Sequence, residues 1–155
     1  MPTTAPPDFL SNLSLHVSDV ETSLAFYRDG LGLPILLDTG WTSDPARLAV
    51  AGLPLTASLR SVTVEIPGTA PNMSLIEFRD IEREIVPQPA FQDAGGVHFA
   101  FRVTDMAKSL AAVAEVAAIE PLGTPLEILG ADGVVKIVFF RDPDGFVVEL
   151  IEKAA

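Results

Sequence analysis

One carboxylate near the end of the chain stands out as a candidate for chemistry. Glu149 lies in the run Phe146–Glu152, where most other residues are apolar. In a strand, Val147, Glu149 and Ile151 share one face of the sheet. A carboxylate in so apolar a strand is costly unless another group pairs with it. Glu149 is therefore the first candidate for a residue of a reactive or binding site.

Two strands and a tight turn must position this carboxylate. The segments Val134–Phe140 and Phe146–Glu152 are rich in β-branched and aromatic residues, and they flank the sequence DPDG at Asp142–Gly145. Proline presets φ for a turn and glycine accepts a positive φ. The stretch therefore predicts a β-hairpin.

The composition narrows the possible classes of protein. With 155 residues, 48% of them hydrophobic, the chain suits one globular domain. It has no cysteine, which excludes thiolate metal sites and Cys nucleophiles and makes the cytoplasm the expected location. The net charge of −11 argues against nucleic acid or an anionic membrane as partner. The apolar runs are too short to span a bilayer, and no phosphate loop or nucleophile elbow is present.

The chain also contains an internal repeat. VSDVETSL at 17–24 matches VTDMAKSL at 103–110 with an offset of 86, and MSLIE at 73–77 matches VELIE at 148–152 with an offset of 75. The difference, 86 − 75 = 11 residues, indicates an insertion in the first half, placed at the irregular stretch 40–54. The repeat predicts an α+β fold of two tandem βαβββ modules. The expected divisions are an arm at 1–10, modules at 11–80 and 96–155, and a linker at 81–95.

Three segments together resemble the vicinal oxygen chelate superfamily, which includes glyoxalase I, epimerases, extradiol dioxygenases and bleomycin-binding proteins. They are VSDVETSLAFYRDGLGL, VHFAFRVTDM and DPDGFVVELIE. The resemblance implies that the paired modules form a cupped, partly closed sheet around a cleft. It also implies a small-molecule substrate, a homodimer and one divalent metal ion (Mn, Fe, Ni, Co or Zn), held by the first and last strands of each module.

The repeat indicates which residues occupy the ligand positions that this resemblance implies. In the family, the first-strand ligand lies five residues before the valine that precedes the helix cap. His98 has this position in the second half and Asn12 has it in the first. Glu149 fits the last-strand position, and the offset of 75 makes Ser74 its counterpart. The inherited site is thus Asn12, Ser74, His98 and Glu149, with His98 and Glu149 as the metal ligands.

A different set would replace Asn12 and Ser74 by His16 and Glu77. His16 lies four residues beyond Asn12, which is roughly 13 Å along a strand and too far to ligate the same ion. Glu77 has the opposite strand parity from Ser74, so its side chain points to the other side of the sheet. We expect Glu77 and its counterpart Glu152 to face solvent near the strand ends.

A second catalytic carboxylate is expected at Glu65. This residue shares a strand face with Ser61 and Thr63. If the hairpin around 67–72 is symmetric, Glu65 lies directly opposite Ser74, with Cβ atoms about 4.5–5.5 Å apart. Glu65 would then supply a carboxylate near the position that Ser74 leaves without one.

Three further residues are candidate substrate contacts, together with Asn12 and Ser74. His16 and Arg102 occupy equivalent positions in the two repeats, so either could hold a carboxylate or an enolate oxygen of the substrate. The alternative is that both belong to a solvated polar rim. Trp41, the only tryptophan, lies in the insertion and is either part of a pocket wall or a hydrophobic plug.

The function expected from these residues is that of a metal-assisted isomerase or lyase, which stabilises an enolate-like intermediate while a carboxylate moves a proton. Three alternatives stay open at this point. An extradiol-type dioxygenase normally needs two His and one carboxylate, which fits less well. A metal-free protein that binds or sequesters a small molecule, and a metal-independent enzyme with His16 as base, are the others.

Overall fold

The computed structural model describes Pro7 and residues 9–69, 71–131 and 133–153. The expected arm at 1–10 therefore falls mostly outside the described residues. The elements, in chain order, are β1 (Asn12–His16), α1 (Val20–Leu24) with a π-helical continuation (Ala25–Gly30), β2 (Ile35–Thr42), α2 (Pro45–Val50), β3 (Ser58–Val64), β4 (Asn72–Arg79), β5 (His98–Arg102), α3 (Met106–Ala117), β6 (Leu126–Gly130), β7 (Gly133–Arg141) and β8 (Val147–Lys153). No helix among these residues is both long and apolar enough to cross a membrane.

The chain forms two compact units, each with one four-stranded sheet. The first unit contains the described residues up to 20 and those between 33 and 83, and its sheet has the order β1-β4-β3-β2. The second contains 21–32 and the described residues from 84 onward, and its sheet has the order β5-β8-β7-β6. In both sheets the first strand pairs in parallel with the last, and the other pairs are antiparallel. This architecture confirms the α+β fold with two modules, and neither sheet closes into a barrel.

The strand registers confirm the offsets that define the repeat. Asn12 pairs with Asn72 in the first unit, and His98 pairs with Val147 in the second, which reproduces the offsets of 86 and 75. Each first strand also has the same alternation of exposed and buried residues. Equivalent side chains of the two repeats therefore point to equivalent faces of their sheets.

In the second unit, one face of the sheet packs on helices. The buried side chains include Phe101, Val138, Phe140, Val148 and Leu150 from the strands, with Leu24, Phe26, Met106 and Val113 from the helical segments. Gly30 lies against α3, and a Cβ atom there would be 3.1 Å from Val113 Cγ2. The close approach of the two helical segments thus depends on a residue without a side chain.

The insertion in the first repeat is partly helical, which differs from the irregular stretch expected at 40–54. Strand β2 continues to Thr42, and α2 follows at Pro45–Val50. Asp44 caps this helix by accepting hydrogen bonds from the amides of Ala46 (3.0 Å) and Arg47 (3.4 Å), and Pro45 suits its first turn. Leu48 is fully buried in a cluster with Ala57 and Leu59. The hydrophobic plug of the insertion is therefore Leu48.

The expectation that Glu77 and Glu152 face solvent is wrong. Glu77 is buried, and its carboxylate accepts a hydrogen bond of 3.0 Å from the amide of Val20, the first residue of α1. Glu152 accepts a hydrogen bond from the amide of Met106, the first residue of α3. A carboxylate satisfies the free amides at a helix N-terminus and interacts favourably with the helix dipole. The two glutamates are thus equivalent helix-capping residues of the two repeats.

Candidate functional site

The second unit brings His98 and Glu149 together on the exposed face of its sheet. His98 begins β5, and Glu149 lies in the middle of the neighbouring strand β8. The Nε2 atom of His98 is 3.5 Å from Oε2 of Glu149, and the two side chains are 50% and 14% exposed. This separation exceeds the usual hydrogen-bond range of about 2.7–3.2 Å. The two side chains therefore lie next to each other without forming a hydrogen bond of normal length.

Two aromatic rings surround this pair. Phe91 stacks on the His98 ring, with centroids 6.0 Å apart and planes 15° apart. Phe139 meets both rings edge-on, at 5.2 Å from Phe91 and 6.2 Å from His98. Phe139 is also the partner of Glu149 in the antiparallel register. The carboxylate and the imidazole thus face an aromatic environment.

An apolar cavity adjoins these rings. Its volume is about 400 Å³, within the range of roughly 300–1,000 Å³ that is usual for ligand pockets. All of its lining residues belong to the second unit: Phe91, Leu122, Gly123, Thr124, Leu126, Ile137, Val138 and Phe139. Phe91 and Phe139 therefore contact both His98 and the space inside the cavity. Strand parity could have identified Phe139, but Phe91 lies in the segment that the sequence assigned to a linker.

Arg102 lies on the same sheet face, at the end of β5. Its register partner is Ile151, which pairs with Ile137, which in turn pairs with Leu126. Its side chain is exposed. His16, the equivalent residue of the first unit, is also exposed, and its ring meets Phe78 edge-on at 5.3 Å.

The equivalent of the His98–Glu149 pair in the first unit is a closed hydrogen-bond network. Ser74 Oγ donates to Oδ1 of Asn12 at 3.2 Å and lies 3.1 Å from Oγ1 of Thr63. The side-chain Nδ2 of Asn12 donates to Ser14 Oγ at 2.8 Å. Asn12 and Ser74 are therefore together, as the repeat implies, but their polar atoms are used by each other and by their neighbours.

The expected position of Glu65 is wrong. Thr63, not Glu65, is the register partner of Ser74, and Glu65 is exposed just beyond the end of β3. The turn explains the difference, because both the amide and the hydroxyl of Thr69 bond to the carbonyl of Ile66. Because of this tight turn, the chain reverses direction closer to Ile66 than it would in the symmetric 67–72 hairpin. Glu65 therefore has no place opposite Ser74.

Trp41 lies in β2 and is paired with Arg60. Since Arg60 is three residues from Thr63, this register position points to the face opposite Ser74. The guanidinium of Arg79 stacks over the Trp41 ring, 3.6 Å from its centroid. The structure thus does not bring Trp41 together with Asn12 and Ser74.

The donor set does not fit a tightly held metal ion. Catalytic zinc sites usually have three protein ligands, and structural ones have four. Among the residues that the structure describes, no group of three or more His, Cys, Asp or Glu side chains is placed to hold an ion. Within the second unit, His98 and Glu149 provide two donors.

A second buried polar cluster supports the hairpin that carries Glu149. The hydroxyl of Tyr27 donates to Oδ2 of Asp142 at 2.7 Å, and the amides of Asp144 and Phe146 donate to Oδ1 at 3.0 and 2.8 Å. Burial raises the pKa of Asp142 to about 6, although these hydrogen bonds oppose the increase. Burial, with the Asp142 charge beside it, raises the pKa of the Tyr27 phenol. Asp142 thus holds its own turn and anchors it to the helical segment.

Comparisons with known proteins agree with this architecture. A glyoxalase family protein from Bacillus cereus has a TM-score of 0.83 at 14% identity, with both chains covered completely. A glyoxalase/dioxygenase from Nostoc punctiforme has a TM-score of 0.66 at 21% identity, covering 100% of this chain and 99% of that one. A virulence protein from Salmonella typhimurium gives 0.57 at 21% identity, covering 97% and 100%. At these identities the likeness concerns the fold, and no curated protein sequence matches.

The sequence model of one family matches residues 10–150, which is most of the chain. That match includes both repeats, the DPDG turn and the positions of His98 and Glu149. The chain belongs to the Glyoxalase/Bleomycin resistance protein/Dioxygenase superfamily.

Proposed function

We propose that the protein binds a small, largely apolar molecule in the cavity of the second unit, with a polar group of that molecule facing His98 and Glu149. The observation that carries this proposal is the sharing of Phe91 and Phe139 between the cavity and the His98–Glu149 pair. Ligand pockets typically combine an apolar lining with a few converging polar groups. An apolar wall provides affinity, while the polar pair selects a ligand with a matching donor or acceptor.

This proposal can be tested with N-phenyl-1-naphthylamine, a neutral aromatic probe that fluoresces in apolar surroundings. Leu126 and Leu129 provide a matched pair of variants, because both are exposed leucines of β6 but only Leu126 lines the cavity. We expect saturable binding by the wild type, a loss of roughly tenfold or more in Leu126→Glu, and little change in Leu129→Glu. An absence of binding by the wild type, or equal losses in both variants, would overturn the proposal.

A second candidate function is acid–base catalysis of the isomerase or lyase type. It is favoured by the 3.5 Å approach of His98 to a carboxylate that is only 14% exposed. In this scheme the substrate is an α-hydroxy carbonyl compound, and Glu149 takes a proton from its hydroxyl-bearing carbon. The C–H electron pair forms the C=C bond of the enolate, and the π pair of the carbonyl group moves to its oxygen. The same carboxyl group then returns the proton to the former carbonyl carbon, while the hydroxyl proton moves to the former carbonyl oxygen and the imidazole of His98 orients the carboxylate.

Deuterium exchange tests this second candidate. With 2-hydroxyacetophenone in D₂O as probe, we expect the wild type to accelerate exchange at the carbon beside the carbonyl. Glu149→Gln should abolish the acceleration while still binding N-phenyl-1-naphthylamine. Equal exchange rates in the two proteins would remove the catalytic candidate without affecting the binding proposal.

The metal-assisted reaction and the dioxygenase stay predictions. Each would need donors beyond His98 and Glu149, and the sequence contains one other histidine, His16. Titration with Mn, Fe, Ni, Co or Zn, with His98→Ala as control, tests them. A stoichiometric uptake that depends on His98 would favour the metal-assisted reaction over metal-free binding.

The homodimer and the cytoplasmic location also stay predictions. Strands β2 and β6 are sheet edges, and β2 exposes Ile35, Leu36 and Leu37. Exposed apolar edge strands favour pairing with another chain. Sedimentation equilibrium of the wild type and of Leu36→Lys would test whether β2 contributes to a dimer.

A further inference from the structure

Arg102 lies on the sheet face that also carries Ile137 and Leu126 of the cavity lining. Its register partners on the neighbouring strands β8, β7 and β6 are Ile151, Ile137 and Leu126. Ile137 and Leu126 line the cavity. Register partners on neighbouring strands point to the same side of a sheet. Arg102 and Ile137 are two strand spacings apart, which is about 10 Å. A long guanidinium side chain and a ligand of a few atoms can together span this distance.

The guanidinium of Arg102 is not used within the part of the chain that the structure describes. It is exposed and has no hydrogen bond or ion pair to any residue described. Arg141, on the same face, differs because it donates to the carbonyls of Gly145 and Pro89. Arg141 therefore donates to backbone carbonyl groups, whereas the five N–H donors of the Arg102 guanidinium can bind a ligand.

The charges of this face also differ from those of the whole protein. The chain carries a net charge of −11. On the exposed face of β5, β7 and β8, however, the register groups three cationic residues, Arg102, Arg141 and Lys153, with a single carboxylate, Glu149. An anionic group is therefore attracted to this face near Arg102 and repelled near Glu149.

We propose that the ligand is a small amphipathic anion, whose carboxylate or sulfonate group is held by Arg102 and whose apolar body fills the cavity. The inference rests on the binding function proposed above and adds the class of ligand and its orientation. Guanidinium binds such groups through two parallel hydrogen bonds, which fix direction as well as charge. The apolar body then lies along Ile137 and Leu126. The polar group proposed above is a second group at the far end of the ligand, where it faces His98 and Glu149 between the aromatic rings.

A pair of probes with one aromatic skeleton tests this proposal. 1-Anilinonaphthalene-8-sulfonate carries the anionic group that N-phenyl-1-naphthylamine lacks. We expect the wild type to bind the sulfonate more tightly, and Arg102→Gln to weaken sulfonate binding by about tenfold while changing binding of the neutral probe by less than about twofold. Higher salt should weaken only the sulfonate, because an exposed charge is screened. Arg47→Gln, at an exposed arginine of α2, serves as the control for net charge.

The outcomes separate the two proposals. If Arg102→Gln changes both probes equally or neither of them, or if sulfonate binding persists in Leu126→Glu, the anion proposal is overturned and the binding proposal stands on the neutral probe. If the wild type binds neither probe, both proposals are overturned. An equal loss of sulfonate binding in Arg47→Gln would show that net charge, and not the Arg102 position, controls affinity, which also overturns the anion proposal.

Discussion

The hydroxyl of Tyr27 lies 2.7 Å from the carboxylate of Asp142, and both side chains are buried. The contact joins the helical segment at 25–30 to the DPDG turn, both in the second unit. Glu149 lies seven residues after Asp142 on the strand that leaves this turn. The position of Glu149 therefore depends on the buried Asp142, whose pKa is raised above its usual value by burial.

This acid makes stability depend on pH. Because burial raises the pKa of Asp142 from 3.8 to about 6, the folded protein holds a proton between these values that the unfolded chain releases. Stability from this group therefore increases as pH falls from 7 through 6 and levels off below about 4, by roughly 3 kcal/mol in all. We expect urea unfolding at pH 4.5, 5.5 and 7 to show this increase in the wild type relative to Asp142→Asn. Parallel pH profiles for the two proteins would contradict it.

The Tyr27 hydroxyl itself should contribute to stability. In Tyr27→Phe, the ring still fills its site but Asp142 loses one hydrogen bond, and we expect a loss of about 1–3 kcal/mol at pH 7. The loss should be smaller at pH 4.5, since the hydroxyl favours the ionised carboxylate. The measurement is the same urea titration, and a loss that does not change with pH would count against the proposed contact.

The capping carboxylates should differ in their effects. Glu77 is 4% exposed, accepts from Val20, and has Arg79 and Arg83 at 3.5 and 4.0 Å, whereas Glu152 is half-buried. We expect Glu77→Gln to lower the free energy of unfolding by about 1–3 kcal/mol and Glu152→Gln by less. Equal effects in chemical denaturation would mean that burial does not determine the strength of these caps.

The plug in the insertion gives a test of packing. Leu48 is fully buried, so Leu48→Ala should cost about 2–5 kcal/mol through lost contacts and the cavity left behind. Val50→Ala is the control in the same helix, since Val50 is 92% exposed, and it should change stability by less than about 0.5 kcal/mol. Thermal unfolding of the two variants compares them directly, and similar melting temperatures would contradict the buried role of Leu48.

Strand parity and the internal repeat predicted which candidate side chains lie together within each repeat. Two offsets placed Asn12 with Ser74 and His98 with Glu149, because a duplicated βαβββ module keeps its register even where its side chains change. Parity also separated Glu77 from Ser74 correctly. Strand parity does not indicate which face of a sheet packs on a helix. The solvent-exposed position expected for Glu77 is wrong for this reason, because Glu77 is buried and caps α1.

The remaining errors come from local backbone chemistry and from contacts distant in sequence. The Glu65 prediction assumed a symmetric hairpin, and the turn closed by Thr69 shifts the register by two residues. Helix α2 did have a signal, Asp44 followed by Pro45, which is a common helix start. Phe91 had no signal, since its stacking on His98 depends on the path of a segment without helix or strand.

Methyl NMR tests the central claim most directly. On a sample labelled at Ile and Leu methyl groups, saturating N-phenyl-1-naphthylamine should shift the signals of Leu122, Leu126 and Ile137, which line the cavity. The signals of Leu48 and Leu53, in the apolar cluster of the first unit, should stay unchanged. Shifts confined to Leu48 and Leu53, or no shift at the cavity methyls, would contradict the assignment of the ligand site to the cavity beside His98 and Glu149.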